Sequence, residues 1–168
     1  SGSTGPPKGV LYTHGMFHAQ VLALKELYGF EPGEVDLACF PLFALFDIAF
    51  GMTSVFPDMD ASKPAQCDPT KIARAIQESG ATTSFGSPAI WRRVLPYCHD
   101  QGYKLPGLRR LLMAGAPVPP DLIQRAHAVL SMDADVFTPY GATEALPVAS
   151  IAGREVAPGL LEAMKNGA

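Results

Sequence analysis

Residues 68–88 read DPTKIARAIQESGATTSFGSP, and this stretch contains the clearest secondary-structure signals in the chain. The pair Asp68-Pro69 is typical of a helix start, an N-cap side chain followed by proline in the first turn. Gly80 is a typical helix stop, and residues 82–85 then predict a strand. The pair Ser87-Pro88 repeats the start signal. The stretch therefore predicts a helix, a strand and the beginning of a second helix.

The same alternation continues toward the C-terminus. We expect the second helix to bend or end near Pro96, because proline removes a hydrogen bond from a helix interior. A strand over 110–114, a helix over 121–130 and a strand over 135–138 follow. Helices that alternate with strands are typical of parallel strands joined by crossover helices. The sequence therefore predicts an α/β fold with a mainly parallel sheet.

The flanking regions contain further elements with weaker signals. Residues 42–56 are apolar almost throughout, with Asp47 as their only charge, so we expect them to be buried or to line a pocket. The other predicted elements are a strand over 10–12, a helix over 14–28 between Thr13 and Gly29, a strand over 35–40, a loop over 57–68, a strand over 147–151 and a partial helix over 160–165.

Composition excludes several classes of protein. The 168 residues are 48% apolar and 17% charged, with a net charge of −3, so disorder and a basic nucleic-acid or membrane surface are not expected. Apolar runs are shorter than the roughly 20 residues a membrane span needs. The three cysteines form no Cys-x-x-Cys pair, which favours buried thiols in the reducing cytoplasm. The arginine pair at 109–110 is expected on a solvated face.

The first nine residues, SGSTGPPKG, have the composition of a phosphate-binding loop or of a flexible linker. Glycines allow backbone N–H groups to approach a phosphate, hydroxyls donate further hydrogen bonds, and Lys8 supplies positive charge. A Walker loop requires glycine directly before its lysine, whereas Pro7 stands there. The P-loop NTPase interpretation is therefore excluded.

Three later segments carry residues suited to a ligand site. Residues 140–144, YGATE, follow a predicted strand and combine an aromatic face, a bare glycine, a hydroxyl and a carboxylate that suits Mg²⁺. Residues 113–117, MAGAP, end another strand, where ligands bind in parallel sheets. Residues 40–44, FPLFA, precede the apolar stretch. Taken alone, these segments are also compatible with a turn, a strand-to-helix connection and core packing, respectively.

Together and in this order, the segments resemble the adenylate-forming superfamily of acyl-CoA synthetases, peptide-synthetase adenylation domains and luciferases. The match includes the Ser/Thr/Gly-rich loop ending in Pro-Lys-Gly, the following Thr13-His14, and the Tyr-Gly-x-Thr-Glu motif. Such enzymes join a carboxylate to the α-phosphate of ATP. The resemblance implies nucleotide contacts from Ser1, Gly2, Ser3, Thr4, Gly5, Lys8, Gly115, Ala116, Pro117, Tyr140, Gly141 and Thr143.

The resemblance also assigns catalytic roles to Lys8, Thr143 and Glu144, with Glu144 as the Mg²⁺ ligand. Two positions depart from the family pattern. Ala114 replaces the first glycine of the adenine segment, and Ala44 replaces a common histidine or aromatic residue beside the acyl pocket. The substrate-pocket residues expected by resemblance are Phe43, Ala44, Asp47 and Gly141.

Within the superfamily the chain is similar to the fatty-acyl-CoA-ligase-like enzymes of bacterial olefin biosynthesis, which convert long-chain 3-hydroxy acids to β-lactones. An ordinary medium- or long-chain acyl-CoA synthetase, an adenylation domain of a peptide synthetase and a non-catalytic nucleotide-binding relative remain alternatives. The resemblance implies ATP, Mg²⁺ and a carboxylic acid as ligands, with CoA possible. It also allows a homo-oligomer or partner enzymes of the same pathway.

We expect residues 1–168 to be the central part of the AMP-binding N-terminal domain, from the phosphate loop to the adenine and magnesium motif. The upstream part of that domain and the mobile C-terminal domain are expected outside this chain. The family's ribose-binding aspartate, hinge and second catalytic lysine would lie there too. The chain alone is therefore expected to be inactive.

Overall fold

The computed structural model describes residues 9–155, which form one sheet with helices on both faces. Short 3-10 turns lie at Pro41–Phe43, Pro64–Gln66 and Gly153–Glu155. The predicted helix over 160–165 lies outside the described residues. The longer elements are α1 His14–Tyr28, β1 Val35–Ala38, α2 Ala44–Phe50, β2 Thr53–Val55, α3 Pro69–Ser79, β3 Thr83–Gly86, α4 Pro88–Asp100, β4 Arg110–Met113, α5 Pro120–Val129, β5 Asp135–Ala142 and β6 Ala145–Ala152.

The sheet has six strands in the order β2-β1-β3-β4-β5-β6. Strands β1 to β5 pair in parallel, and only the edge strand β6 is antiparallel to its neighbour. The predicted α/β class with a mainly parallel sheet is confirmed. The chain leaves β1 toward β2 on one side and returns to β3 on the other, so the strand order reverses between β1 and β3.

Each face of the sheet is covered by a separate hydrophobic core. On one face, Leu111 and Met113 of β4 pack with buried residues of α3, α4 and α5, among them Trp91. On the other face, Leu112 packs with α1, α2 and the phenylalanines between them. Neighbouring residues of one strand thus point into opposite cores, as the pleat of a strand requires.

The predicted helix boundaries are confirmed where capping residues define them. The Thr13 hydroxyl accepts a hydrogen bond from the Met16 N–H, and the Asp68 carboxylate accepts one from the Thr70 N–H. Gly29 and Gly80 end α1 and α3 in left-handed conformations, with φ of 61° and 65°. Glycine adopts these angles without the steric cost that a side chain adds.

One local prediction is wrong. Residues 10–12 form no strand, none of the strands described between residues 9 and 155 pairs with them, and Leu11 is exposed. Helix α4 does not end at Pro96 but continues to Asp100. Burial of Leu95 and Cys98 on either side of the proline holds the helix against the sheet despite the missing hydrogen bond.

The two arginines at the start of β4 differ in exposure: the side chain of Arg110 is largely buried, and that of Arg109 is half exposed. Arg110 donates hydrogen bonds to the carboxylate of buried Glu34 at 2.7 Å and to the carbonyls of Tyr28 and Gly29. Arg109 pairs with the other Glu34 oxygen while keeping half of its side chain exposed. The expectation of a solvated face is therefore wrong for Arg110, which joins the end of α1 and the start of β1 to β4.

Candidate active site

A cavity of about 1020 Å³ opens at the carboxyl ends of the parallel strands. Residues at the ends of four strands line the cavity. They are Phe40 after β1, Ser87 after β3, Gly115 after β4 and Gly141 in β5. The cavity includes the position where the strand order reverses. Ligands of doubly wound sheets bind in crevices of this kind.

Most of the cavity wall is apolar and aromatic. Phe43 stacks on Phe85 with ring centroids 4.2 Å apart and parallel planes, and Phe17 of α1 stacks on Phe46 of α2 at 5.0 Å. The prediction that residues 42–56 are buried or line a pocket holds for these rings but not for Ile48, which is exposed. The remaining apolar lining includes Phe40, Leu42, Leu45, Ala61, Ile90 and Leu146.

Polar groups gather at the rim, where α1 begins and the β5–β6 hairpin turns. The Tyr12 hydroxyl donates to the backbone carbonyl of Thr143 and accepts a hydrogen bond from the side-chain amide N–H of Gln20 at 3.1 Å. Thr13 and His14 line the same rim. Glu144 is exposed in the hairpin turn directly after Thr143. The loop into α1 and the hairpin turn are thus brought together, although they are distant in the sequence.

The structure places the expected nucleotide-binding residues at one edge of the sheet. Gly115, Gly141 and Thr143 line the cavity. Ala116 and Pro117 are exposed directly after Gly115, and Tyr140 is exposed in β5. Residues 140–142 lie inside β5 rather than after it, because β6 pairs with them across a tight turn. Ser1, Gly2, Ser3, Thr4, Gly5 and Lys8 lie outside the described residues.

The two glycines of the cavity lining, Gly115 and Gly141, have different surroundings. Gly115 adopts a φ of 89°, and a Cβ added there would meet no atom within 4 Å, so the backbone faces open space. A Cβ at Gly141 would lie 2.8 Å from Leu146 Cδ1 and 2.9 Å from the Ala145 carbonyl oxygen. Gly115 therefore suits a close ligand contact, whereas Gly141 is required by the hairpin itself.

A nucleotide with a bound Mg²⁺ fits this donor set. Within residues 9–155 no cluster of three or more histidine, cysteine, aspartate or glutamate side chains could hold a metal ion by itself. Magnesium is commonly bound by one or two carboxylates together with substrate phosphates, so Glu144 beside Thr143 is a suitable protein contribution. The hydroxyl and backbone groups of the hairpin suit the phosphates.

Two residues assigned to the substrate pocket lie elsewhere. Ala44 is buried at the start of α2, and Asp47 is buried with its carboxylate accepting a 2.6 Å hydrogen bond from the Ser54 hydroxyl. Neither belongs to the cavity lining, whereas Phe43 and Gly141 do. Helix α2 turns Phe43 and Phe46 toward the cavity and Asp47 toward the sheet.

Asp47 has a second buried carboxyl as its neighbour. Asp36 of β1 is completely buried, and its carboxyl group lies beside that of Asp47. Burial, and secondly the charge of Asp47, raise the pKa of Asp36 well above its usual value. Burial also raises the pKa of Asp47, against the hydrogen bond from Ser54. The hydrogen bond from Ser54 of β2 to Asp47 joins α2 to the edge of the sheet.

Ser87 is a polar residue of the cavity that the sequence motifs did not indicate. Ser87 was expected only as an N-cap of α4, and it does occupy that position. Its hydroxyl makes no capping hydrogen bond, however, and is buried without a partner among residues 9–155. The signal available in the sequence was its place after β3, at the sheet edge shared with Gly115.

The three cysteines are free and buried, as expected: Cys39, Cys67 and Cys98. Burial raises the pKa of Cys39 to about 12 and that of Cys98 to about 11, which leaves both as neutral thiols at ordinary pH. None of the helices between residues 9 and 155 is both long and apolar enough to cross a membrane.

A doubly wound sheet with a ligand cavity at its carboxyl edge, rimmed by glycines, hydroxyls and a carboxylate, defines an α/β domain of the nucleotide-binding type. The family model described as "AMP-binding enzyme" matches residues 1–164. The chain belongs to this family, the adenylate-forming ligases, as the motifs predicted.

Curated proteins with similar sequences include two olefin beta-lactone synthetases and a fatty-acid–CoA ligase. The chain is 52% identical over 156 residues to a protein named olefin beta-lactone synthetase in Stenotrophomonas maltophilia, and 52% identical over 154 residues to one of the same name in Xanthomonas campestris. The matches cover 93% and 92% of this chain but 28% and 27% of those proteins. A long-chain-fatty-acid–CoA ligase of Thermus thermophilus is 30% identical, over 88% of this chain and 27% of its own length.

Solved structures share the fold. A nonribosomal peptide synthetase, FmoA3, bound to α-methyl-L-serine-AMP superposes with a TM-score of 0.80 at 22% identity. The superposition covers 92% of this chain and 18% of the synthetase. At this identity the similarity supports the fold alone.

Proposed function

We propose that the protein of which this chain is part activates a long-chain fatty or 3-hydroxy fatty acid with ATP. The products are an acyl-adenylate and pyrophosphate. The observation that carries the proposal is the continuity of one cavity, whose aromatic wall around Phe43 and Phe85 leads to a rim formed by Gly115 and Thr143. An apolar chamber suits an acyl chain, and the rim suits the reacting carboxylate and nucleotide.

In the activation step, a carboxylate oxygen attacks the α-phosphorus of ATP, and the bond from that phosphorus to the pyrophosphate oxygen breaks. Such displacements depend on positioning and on stabilisation of charge. We assign the phosphates to the loop of Ser1, Gly2, Ser3, Thr4, Gly5 and Lys8, and to the hydroxyl of Thr143. Mg²⁺, held with Glu144, would neutralise developing phosphate charge. Gly115, Ala116, Pro117 and Tyr140 would contact the adenine.

For the second step we propose β-lactone formation from the 3-hydroxy acyl-adenylate. The 3-hydroxyl oxygen bonds to the acyl carbon and releases its proton to solvent, while the bond from the acyl carbon to the phosphate oxygen breaks and AMP leaves. The 52% identity to two proteins named olefin beta-lactone synthetase supports this choice. Transfer to the thiol of CoA is the second candidate, supported by the similarity to a long-chain-fatty-acid–CoA ligase. An amino-acid substrate is disfavoured, because Asp47 is buried with Ser54 and does not reach the cavity.

The test is acid-dependent ATP–pyrophosphate exchange by the full-length protein with fatty, 3-hydroxy fatty, aryl and amino acids. We expect exchange with long-chain acids and its loss in Lys8→Ala and Glu144→Gln. Glu78→Gln is the matched control, because Glu78 is exposed on α3 and pairs with Arg74 of the same helix. Absence of exchange with every acid would refute activation, and exchange retained in Glu144→Gln would refute its assigned role.

Products distinguish the two second steps. Release of β-lactone and AMP without CoA supports lactone formation, whereas a strict requirement for CoA supports thioester transfer. Because the chain spans 28% of its Stenotrophomonas relative, we also propose that residues 1–168 alone are inactive. Acid-dependent AMP formation by the isolated chain would contradict this. The proposal places the protein in the cytoplasm, consistent with its free thiols, and permits association with itself or with pathway enzymes.

A further inference from the structure

We propose that Ser87 is a specificity-determining residue that hydrogen-bonds an oxygen substituent near the carboxyl end of the acid, namely its 3-hydroxyl group. The inference rests on the proposed function, because it requires the acyl chain to occupy the cavity. It goes further by assigning recognition of the hydroxyl to one side chain. The family motifs of the sequence do not include this position.

The first argument is the location of Ser87 at the sheet edge. Gly86 at the end of β3 pairs in register with Met113 of β4, and the Ala114 N–H donates to the Gly86 carbonyl at 3.2 Å. Ser87 is therefore the next residue beside Ala114 and Gly115. It lines the cavity where the aromatic wall meets the segment assigned to the nucleotide. A group bound there is close to the carboxyl end of the acyl chain.

The second argument is the unused hydrogen-bonding capacity of the Ser87 side chain. Serine at an N-cap normally accepts a hydrogen bond from a first-turn N–H. Here the Ile90 N–H donates instead to the Ser87 backbone carbonyl at 3.1 Å, and the hydroxyl makes no capping bond. Its oxygen is buried without a partner in the described part of the chain. Such a group is costly unless something satisfies it, and a bound hydroxyl can do so.

The third argument is the contrast with the other polar groups of the cavity. Tyr12 is engaged with Gln20 and with the Thr143 carbonyl, and the Thr13 hydroxyl caps α1. The Cys39 thiol lies 3.8 Å from the Ser84 hydroxyl. Around Ser87 the wall is formed by Phe85 and Ile90, which offer no polar side-chain atom. The remaining polar side chains of the lining, His14 and Thr143, belong to the start of α1 and the hairpin turn at the rim. A substrate hydroxyl placed in this apolar region therefore has Ser87 as its side-chain partner.

A hydrogen-bonding site of this kind discriminates between an acid that carries the hydroxyl group and the same acid without it. An acid with a 3-hydroxyl group satisfies the serine, whereas the unsubstituted acid of the same length leaves it unpaired. The hydroxyl can donate and accept at once, so it suits another hydroxyl. Recognition of this oxygen would select 3-hydroxy acids for the lactone step proposed above.

The experiment compares Ser87→Ala with Ser84→Ala in the full-length protein. Ser84 is the matched control, because its buried hydroxyl is satisfied by the Leu37 carbonyl at 2.8 Å and lies outside the cavity lining. ATP–pyrophosphate exchange is measured with dodecanoate and with 3-hydroxydodecanoate. We expect Ser87→Ala to lower kcat/KM for the 3-hydroxy acid about tenfold and to change that for dodecanoate less than twofold. Ser84→Ala should leave the ratio of the two acids unchanged.

Several results would overturn the inference. Equal losses for both acids would place the carboxylate, not the 3-hydroxyl, at Ser87, and an unchanged ratio would remove Ser87 from recognition. If the wild-type protein catalyses ATP–pyrophosphate exchange with both acids but does not prefer the 3-hydroxy acid, the role of Ser87 is refuted and the proposed acid activation is not. No exchange with any acid would refute both.

Thermal unfolding of the ligand-free protein provides a second readout. Because Ser87→Ala removes an unsatisfied hydroxyl, its Tm should stay equal to or exceed that of the wild type. Ser84→Ala breaks a satisfied buried hydrogen bond, so its Tm should fall. A lower Tm for Ser87→Ala than for Ser84→Ala would show that the Ser87 hydroxyl has a structural partner, and would contradict the inference.

Discussion

The hydroxyl of Tyr12 donates a hydrogen bond to the backbone carbonyl of Thr143, 131 residues later in the chain. Tyr12 follows the Pro-Lys-Gly loop, and Thr143 belongs to the Tyr-Gly-x-Thr-Glu motif at the hairpin turn. The contact therefore joins the two segments that bear the assigned phosphate and magnesium ligands. It also borders the cavity rim, since both residues line it.

Replacing Tyr12 with phenylalanine tests whether this contact positions the hairpin turn. We expect the free energy of unfolding to fall by about 0.5–1.5 kcal/mol, the usual value of one hydrogen bond. The KM for ATP should rise more than the KM for the acid, because Thr143 loses its anchor. Tyr103→Phe is the control, since Tyr103 is similarly exposed and lies outside the cavity. Equal effects of both variants on KM would contradict the positioning role.

Gly141 provides a prediction about the hairpin backbone. In Gly141→Ala the new Cβ would stand 2.9 Å from the Ala145 carbonyl oxygen, a backbone atom that can move only if the β5–β6 turn changes. We expect a loss of about 1–3 kcal/mol in unfolding free energy, the usual cost of overpacking, together with loss of exchange activity. Gly107→Ala is the control, because its Cβ would make an ordinary 3.7 Å contact with the Ala81 carbonyl. An unaffected Gly141→Ala protein would show that the turn can relax.

The ion pairs of Glu34 should contribute far more to stability than those on the surface. Glu34 is buried and bound by both Arg109 and Arg110, so Glu34→Gln leaves Arg110 with a partly uncompensated charge. Breaking a buried pair typically costs about 3–5 kcal/mol, and we expect the neutral isostere to approach the lower end. Denaturant unfolding measures the change.

Glu78→Gln is the matched control for Glu34→Gln. Glu78 pairs with Arg74 on the exposed face of α3, with both side chains more than half exposed. Exposed pairs of this spacing contribute about 0.3–0.5 kcal/mol. A loss in Glu34→Gln no larger than that in Glu78→Gln would mean that the hydrogen bonds from Arg110 to Tyr28 and Gly29 hold this region without the carboxylate.

The fold was predictable where local chemistry determines it. Thr13, Asp68, Gly29 and Gly80 define helix ends through contacts with their own neighbours, so the sequence alone locates them. Alternation of helices and strands then predicts parallel pairing. The strand expected over 10–12 failed because a strand needs a partner strand, and that requirement depends on distant parts of the chain.

The candidate site was predictable in its motifs but not in the direction of its side chains. Gly115 and Thr143, which the motifs single out, line the cavity. Asp47 was expected in the substrate pocket, yet its carboxylate accepts a hydrogen bond from Ser54 of β2. Ser87 has the sequence signature of an N-cap and occupies that position, yet its hydroxyl makes no capping hydrogen bond. Rotamers and helix phase depend on packing, which residue spacing does not encode.

The buried pair Asp36 and Asp47 makes stability depend on pH. Burial, and then the charge of Asp47, raise the pKa of Asp36 well above its unfolded value of 3.8, so the folded protein holds this proton more tightly than the unfolded chain. The stabilisation is complete below pH 3.8 and is lost as the pH rises toward the folded pKa of Asp36.

The variant Asp36→Asn tests this dependence, because the asparagine cannot ionise and its amide can donate to Asp47. We therefore expect the difference in Tm between Asp36→Asn and wild type to grow in favour of the variant from pH 5 to pH 8. Asp133→Asn, at an exposed loop position, should show no such growth, and a constant difference for Asp36→Asn would contradict the raised pKa.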